Sequence, residues 1–178
     1  MPNITLTSHF VDELHLPHVE TILLQSITIH EPYILERVLG YEMYKSLYSN
    51  LSNVSGIWYN LINGDEYTDD DGVLCKWAGF KTIGSNPIAC YVYCKELEKN
   101  ISQTTAIGET QMNNENMRLT SPIRKHVNAW NKMCDLFYTM DDYIMANIDD
   151  YTTYNGMNTA NGYKKAVNFF TKVNEFGI

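Results

Sequence analysis

The chain has 178 residues, 44% hydrophobic and 19% charged, which suits one domain with one core and lies far from disordered or fibrous compositions. Its formal net charge is −8, its longest acidic run is Asp69-Asp70-Asp71 and it has no basic patch, all of which argues against a protein that grips nucleic-acid phosphates. No apolar run reaches the roughly 18 to 20 residues that a membrane span requires. The 13 tyrosines and many asparagines lean toward protein contacts, because tyrosine offers large contact area at low rotamer cost, although AT-rich coding gives the same bias.

In chain order, Ile4, Leu6 and Phe10 alternate with polar residues and predict an extended, flexible N-terminal arm over 1–16. After Pro17 a helix is expected to about His30, with Val19, Ile22, Leu23, Ser26 and Ile27 on one face; Pro32 restarts the chain in a short helix to Leu39. Gly40 ends it, and Tyr41, Tyr44, Leu47, Tyr48 and Leu51 mark the expected buried face of the next helix. Ser55 is the candidate N-cap of a short helix carrying Trp58 and Leu61, stopped by Asn63-Gly64. The period then changes: Glu66–Thr68 and Val73–Trp77 flank Asp70-Asp71-Gly72 and predict a β-hairpin. Asn86-Pro87 opens a helix apolar on all sides until Lys95, the signature of a central helix.

Residues 101–120 are rich in Ser, Thr, Gln, Asn and Gly and predict a long polar loop, of the kind that is functional or ordered by a partner. Ser121-Pro122 caps the longest helix, with Ile123, Val127, Trp130, Cys134, Phe137, Asp141, Ile144 and Ile148 at steps of three and four. Residues 151–178 form a C-terminal extension whose amphipathic stretch, Ala166, Phe169, Phe170 and Val173, docks on the core or on a partner. The whole predicts one mainly α domain over 1–178, a helical bundle of about five to six helices with one β-hairpin insertion.

The chemistry-bearing residues read blandly. His9, Asp12, His15, His18 and Glu20 could be drawn as a metal site, but Pro17 interrupts the helix that would align His15 with His18, and the paired-His motif around a Glu is missing. Cys75, Cys90, Cys94 and Cys134 contain no CxxC and follow no secretion signal, so reduced core thiols of a cytosol-made protein are expected. Asp69–Gly72 is no calcium loop, since Tyr67 and Ala78 would fall at its first and twelfth positions. Gly108-Glu109-Thr110 lacks the context of a phosphate loop. Asp141-Asp142 and Asp149-Asp150 are adjacent pairs that point apart on a helix and suit solvated surface better than acid–base work. No catalytic, cofactor-binding or metal-binding residue is assigned.

Several segments carry a resemblance: His30–Leu35 running into Leu39–Lys45, Trp58–Gly64 with Glu66–Thr68, Lys76–Gly79, Pro87–Tyr93, Thr104–Glu109, and Ser121-Pro122 with Ala129–Met133. Across Ile29 to Ile148 the chain resembles the head-to-tail connector, or neck adaptor, proteins of tailed bacteriophages and prophages; the tail after Tyr151 departs from the pattern. The resemblance implies a non-enzymatic, mainly helical virion subunit, made in the host bacterial cytoplasm and without a cofactor. It would form a ring, expected to be twelvefold, beneath the portal protein and join the capsid to other neck or tail proteins. Ser102, Thr104, Thr105, Ile107, Gly108, Glu109, Phe169 and Phe170 are then the expected contacts with portal and neighbouring copies. An acidic lumen would let DNA pass without sticking. A small intracellular module that inhibits a host protein, or a metal-dependent enzyme around His9, His15 and His18, are the alternative readings.

Overall fold

A computed structural model describes residues 3–16, 20–105, 108–111, 122–154, 156–157 and 170–174. Among them the architecture is mainly α-helical: α1 (Glu20–Leu39), α2 (Tyr41–Ser49), α3 (Ile57–Asn63), α4 (Pro87–Ile101) and α5 (Pro122–Ala146), with two separate antiparallel hairpins, β1 (Asp65–Thr68) with β2 (Leu74–Trp77) and β3 (Ser102–Thr105) with β4 (Gly108–Gln111). α4 is the central helix, packed between α1 and α5, and α2 folds back on α1. Its run from Ile88 to Cys94 is buried at every position, as a stretch without a polar face must be. Asn86 starts it, the side-chain Oδ1 accepting from the N–H groups of Ile88 (2.9 Å) and Ala89 (3.1 Å) that the first turn leaves open.

The restart expected at Pro32 does not occur: α1 runs unbroken through it. A proline inside a helix costs about 3 kcal/mol. Ile27, Ile34, Leu35 and Val38 are fully buried around it, each contributing roughly 1.5–3 kcal/mol, so the stripe facing α4 outweighs the local break. Tyr33 and His30 also meet Tyr91 of α4, Tyr33 stacked at 6.2 Å and His30 edge-on at 6.0 Å. In α2 the fully buried pair is Met43 and Leu47, with Tyr44, Tyr48 and Leu51 packed beside it. Tyr41 is exposed, contrary to expectation, because at 100° per residue it lies about 160° round the helix from Met43.

Gly56, not Ser55, occupies the N-cap of α3, at φ +88°. Gly64 ends this helix beside Gly79, where the two chain segments touch: a Cβ on Gly79 would stand 2.4 Å from the backbone of Asn63. The hairpin β1–β2 has the register Thr68↔Leu74 and Asp65↔Trp77 and lies against α5. Its turn is built by Asp69, whose Oδ1 accepts from Asp71 N–H (3.0 Å) and Val73 N–H (2.8 Å), with Gly72 at φ +80°. Trp77 is wholly buried, and its indole N–H donates to Leu61 O (2.8 Å), tying the hairpin to α3.

The N-terminal segment is not a free arm. Ile4, Phe10, Leu14 and Leu16 are buried, and single 3₁₀ turns at Thr7–His9 and Asp12–Leu14 set them against α1, α4 and α5. The alternation that suggests an extended strand instead spaces apolar anchors along an irregular path. Nor is 101–120 a loop throughout: α4 continues to Ile101, and 102–105 pair with 108–111 as a second hairpin. Residues 170–174 of the C-terminal extension dock on α5. Phe170 packs against Phe137 at 5.2 Å, Trp130 Nε1 donates to Thr171 O (3.0 Å), and Asn131 exchanges two hydrogen bonds with Val173. Tyr154 donates to Asp141, and Tyr151 donates to Ile57 O (2.7 Å).

Candidate functional site

Glu31, on the buried stripe of α1, has a fully buried carboxylate that accepts from Ile4 N–H (2.7 Å), Thr5 N–H (2.7 Å) and the Tyr48 hydroxyl (2.6 Å). These three neutral donors satisfy a charge that burial would otherwise penalise heavily. The same bonding, after desolvation, drives the Tyr48 phenol far above its ordinary range. Beside it stand Asn86 and His9, both buried. Desolvation lowers the His9 pKa, more than its bond to Lys81 O and the charge of Glu31 raise it. Both ring nitrogens are engaged: Nδ1 by Leu6 N–H at 2.9 Å, Nε2 by Lys81 O at 3.0 Å. These two bonds fix the ring between the N-terminal segment and the loop before α4.

His15 lies elsewhere, in a groove of about 310 Å³ between the second 3₁₀ turn and α5, lined by Asp12, Glu13, Leu14, Lys125, Asn128, Ala129 and Lys132. The structure therefore separates His9 from His15, and His18 lies outside the described residues. Among the described residues no three His, Cys, Asp or Glu side chains are grouped as metal ligands. Cys75, Cys90, Cys94 and Cys134 are free thiols. Burial pushes Cys90 up to about 12 and Cys134 up to about 11, and raises Cys94 as well, so none of these three is an activated nucleophile.

An acidic recess of about 390 Å³ opens between the β1–β2 turn and the end of α5, lined by Tyr67, Asp69, Asp70, Asp71, Cys75, Asp142, Met145 and Ala146. Burial, then Asp141, raises the Asp142 pKa. Of its lining, Met145 is an exposed large apolar side chain. On α1, Ile22, Ile29 and Tyr33 are also exposed, at seven- and four-residue steps. Glu98 joins α4 to α5: burial pushes its pKa up, but hydrogen bonds from Lys95 (2.7 Å) and His126 (3.1 Å) outweigh that and hold it below the usual carboxylate range.

Of the expected contact residues, Ser102, Thr104 and Thr105 stand on β3 and Gly108 and Glu109 on β4, with Thr104↔Glu109 and Thr105↔Gly108 as cross-strand pairs. Ile107 and Phe169 lie outside the described residues. Phe170 is 1% exposed, so its ring is committed to its own core and not to a partner. The hairpin's main tertiary contact is with α4, from which it grows. The residues that sequence reasoning missed are Glu31, Tyr48 and Asn86. Glu31 carried a readable signal, an acidic residue four after Ile27 and three before Ile34 on an apolar helix face.

Among the described residues no helix is long and apolar enough to cross a membrane. Comparisons with protein-family models, curated proteins and solved structures find no match to this chain.

Proposed function

We propose that the protein is a non-enzymatic assembly subunit, a head-to-tail connector that forms a ring beneath a phage portal and joins the capsid to the tail. The observation that carries this reading is the hairpin β3–β4, a polar Ser-Gln-Thr-Thr strand paired with Gly-Glu-Thr-Gln that follows α4 in the chain and contacts it. Among the described residues no third strand joins this hairpin, and a two-stranded hairpin by itself is marginal in water. A neighbouring copy or a portal edge that adds a strand or covers a face supplies what the hairpin lacks. The resemblance across Ile29 to Ile148 gives this contact a ring to belong to. Net charge −8 and the acidic recess at the end of α5 favour a lumen that repels the phosphates passing through it. The non-enzymatic reading is supported by a His9 with both ring nitrogens engaged and by thiols whose pKa burial raises.

The experiment is native mass spectrometry of the full chain mixed with intact portal rings of the same phage, beside a variant lacking 102–115. About twelve copies of the full chain per portal, with a variant that keeps the helical circular dichroism of the full chain and does not bind, is the expected result. A deletion variant that still loads the portal sinks the role of the hairpin. No loading of the full chain onto intact portals removes the adaptor reading.

A further inference from the structure

Residues 3–16 contribute no strand and nothing longer than a 3₁₀ turn, yet they bury Ile4, Phe10, Leu14 and Leu16. Glu31 accepts from the main-chain N–H groups of Ile4 and Thr5, and His9 Nδ1 from that of Leu6, beside side-chain links from Asn3 to Thr28, Thr7 to Glu20 and Glu13 to Lys132. The proton inventory of this seat is determined by geometry. Asn86 Oδ1 is occupied by two N–H groups of α4, so its Nδ2 is the face turned to the segment, donating to Thr5 Oγ1 and to His9 Nδ1, both at 3.2 Å. His9 Nδ1 therefore meets two donors, Asn86 Nδ2–H and Leu6 N–H, and must carry the lone pair. Nε2 carries the proton and donates to Lys81 O.

A second proton on this ring would place a donor against two donors, and neither can turn away. Leu6 N–H is main chain, and rotating the Asn86 amide would uncap α4. We propose that residues 3–16 are an acid-released latch: protonation of His9 weakens the seat of the segment on α1, α4 and α5 and releases it. The groups around the ring are the Glu31 carboxylate from α1, which favours the imidazolium, the Lys81 carbonyl from the loop before α4, and the neutral Asn86 amide. α2 reaches the network through the Tyr48 hydroxyl on Glu31. Desolvation outweighs the pull of Glu31, so the docked ring has a pKa below its ordinary 6.5. Docking is then complete above the released-state value and weakens as pH falls toward the docked one, by up to about tenfold in the docked-to-released ratio per pH unit. This latch does not depend on the connector reading.

The test is an NMR titration of the isotopically labelled full chain from about pH 7.5 to about pH 5, across the range in which histidine charges. It follows the His9 ring nitrogens and the amides of Ile4, Thr5 and Leu6. The expected result is the Nε2–H tautomer at the upper end and loss of the native amide positions in step with His9 protonation, while Val92 and Phe137 keep theirs. His9→Asn, which places an amide oxygen near the Nδ1 position without a basic nitrogen, should keep the segment docked throughout. Native Ile4 and Thr5 amides after His9 has charged would overturn the latch, as would release of the His9→Asn segment over the wild-type pH range. Should His9→Asn already be undocked at the upper end, the wild-type titration decides alone.

Discussion

Glu31 shows how one residue can join three parts of the molecule. Its carboxylate is the common acceptor for the N-terminal main chain and for Tyr48 of α2. Replacing it removes the acceptor of two buried main-chain N–H groups and of the half-buried Tyr48 hydroxyl. Glu31→Ala should destabilise the fold by about 3 kcal/mol or more and Tyr48→Phe by about 1–2 kcal/mol, read from urea unfolding with unchanged slope. Asp142 has the opposite sign. Its raised pKa means that the folded state prefers the neutral form, so its charge at neutral pH works against folding and the strain eases as pH falls. Because Asp142 is an exposed residue, the effect is screened, and Asp142→Asn should stabilise by less than about 1 kcal/mol, seen as a small rise in Tm that shrinks toward acid.

At the scale of elements, α1 and the Gly64–Gly79 contact obey different rules. α1 tolerates Pro32 because tertiary burial along its stripe exceeds a local cost. The contact between the end of α3 and the loop after β2 tolerates nothing, since Gly79 has φ +85° and a Cβ there would meet main chain, which does not yield as a flexible side chain would. Gly79→Ala should cost about 2–4 kcal/mol. Gly72→Ala, at a similar φ of +80° in the β1–β2 turn but with open space around it, should cost roughly 1 kcal/mol. Thermal unfolding of the two variants separates steric approach from backbone conformation.

Over the whole molecule, the core joins α1, α4 and α5 with the N-terminal segment and the docked tail, and its thiols report on that closure. Alkylation of the native protein at neutral pH should reach Cys75, which is half-buried, well before Cys90, Cys94 and Cys134, which should react only on unfolding; mass mapping of the labelled peptides checks the order. Charge is unevenly placed at the same scale: Asp69, Asp70, Asp71 and Asp142 converge at one recess although they come from a turn and a helix far apart in sequence. That convergence and the hairpin that follows α4 are what the proposed ring would use.

Sequence by itself determined the elements whose signals are local and strong. The apolar run of Ile88–Cys94 has no other place than the centre, Asp69 to Gly72 can close a turn with its own side chain, and the three- and four-residue steps from Ile123 to Ile144 make one long amphipathic helix. Tertiary structure decided whatever depended on a competition between local and distant terms. It carried α1 through Pro32, and it turned an apparent free arm into a buried segment because Glu31, some 26 residues away, accepts its N–H groups. It also paired 102–105 with 108–111, where few apolar residues announce a strand. It separated His9 from His15, neighbours on the chain, because an irregular path with two 3₁₀ turns sends one ring into a buried seat and the other to an open groove. The physical reason is the same in each case: hydrogen-bond acceptors and apolar faces supplied by distant elements are invisible to a reading that advances a few residues at a time.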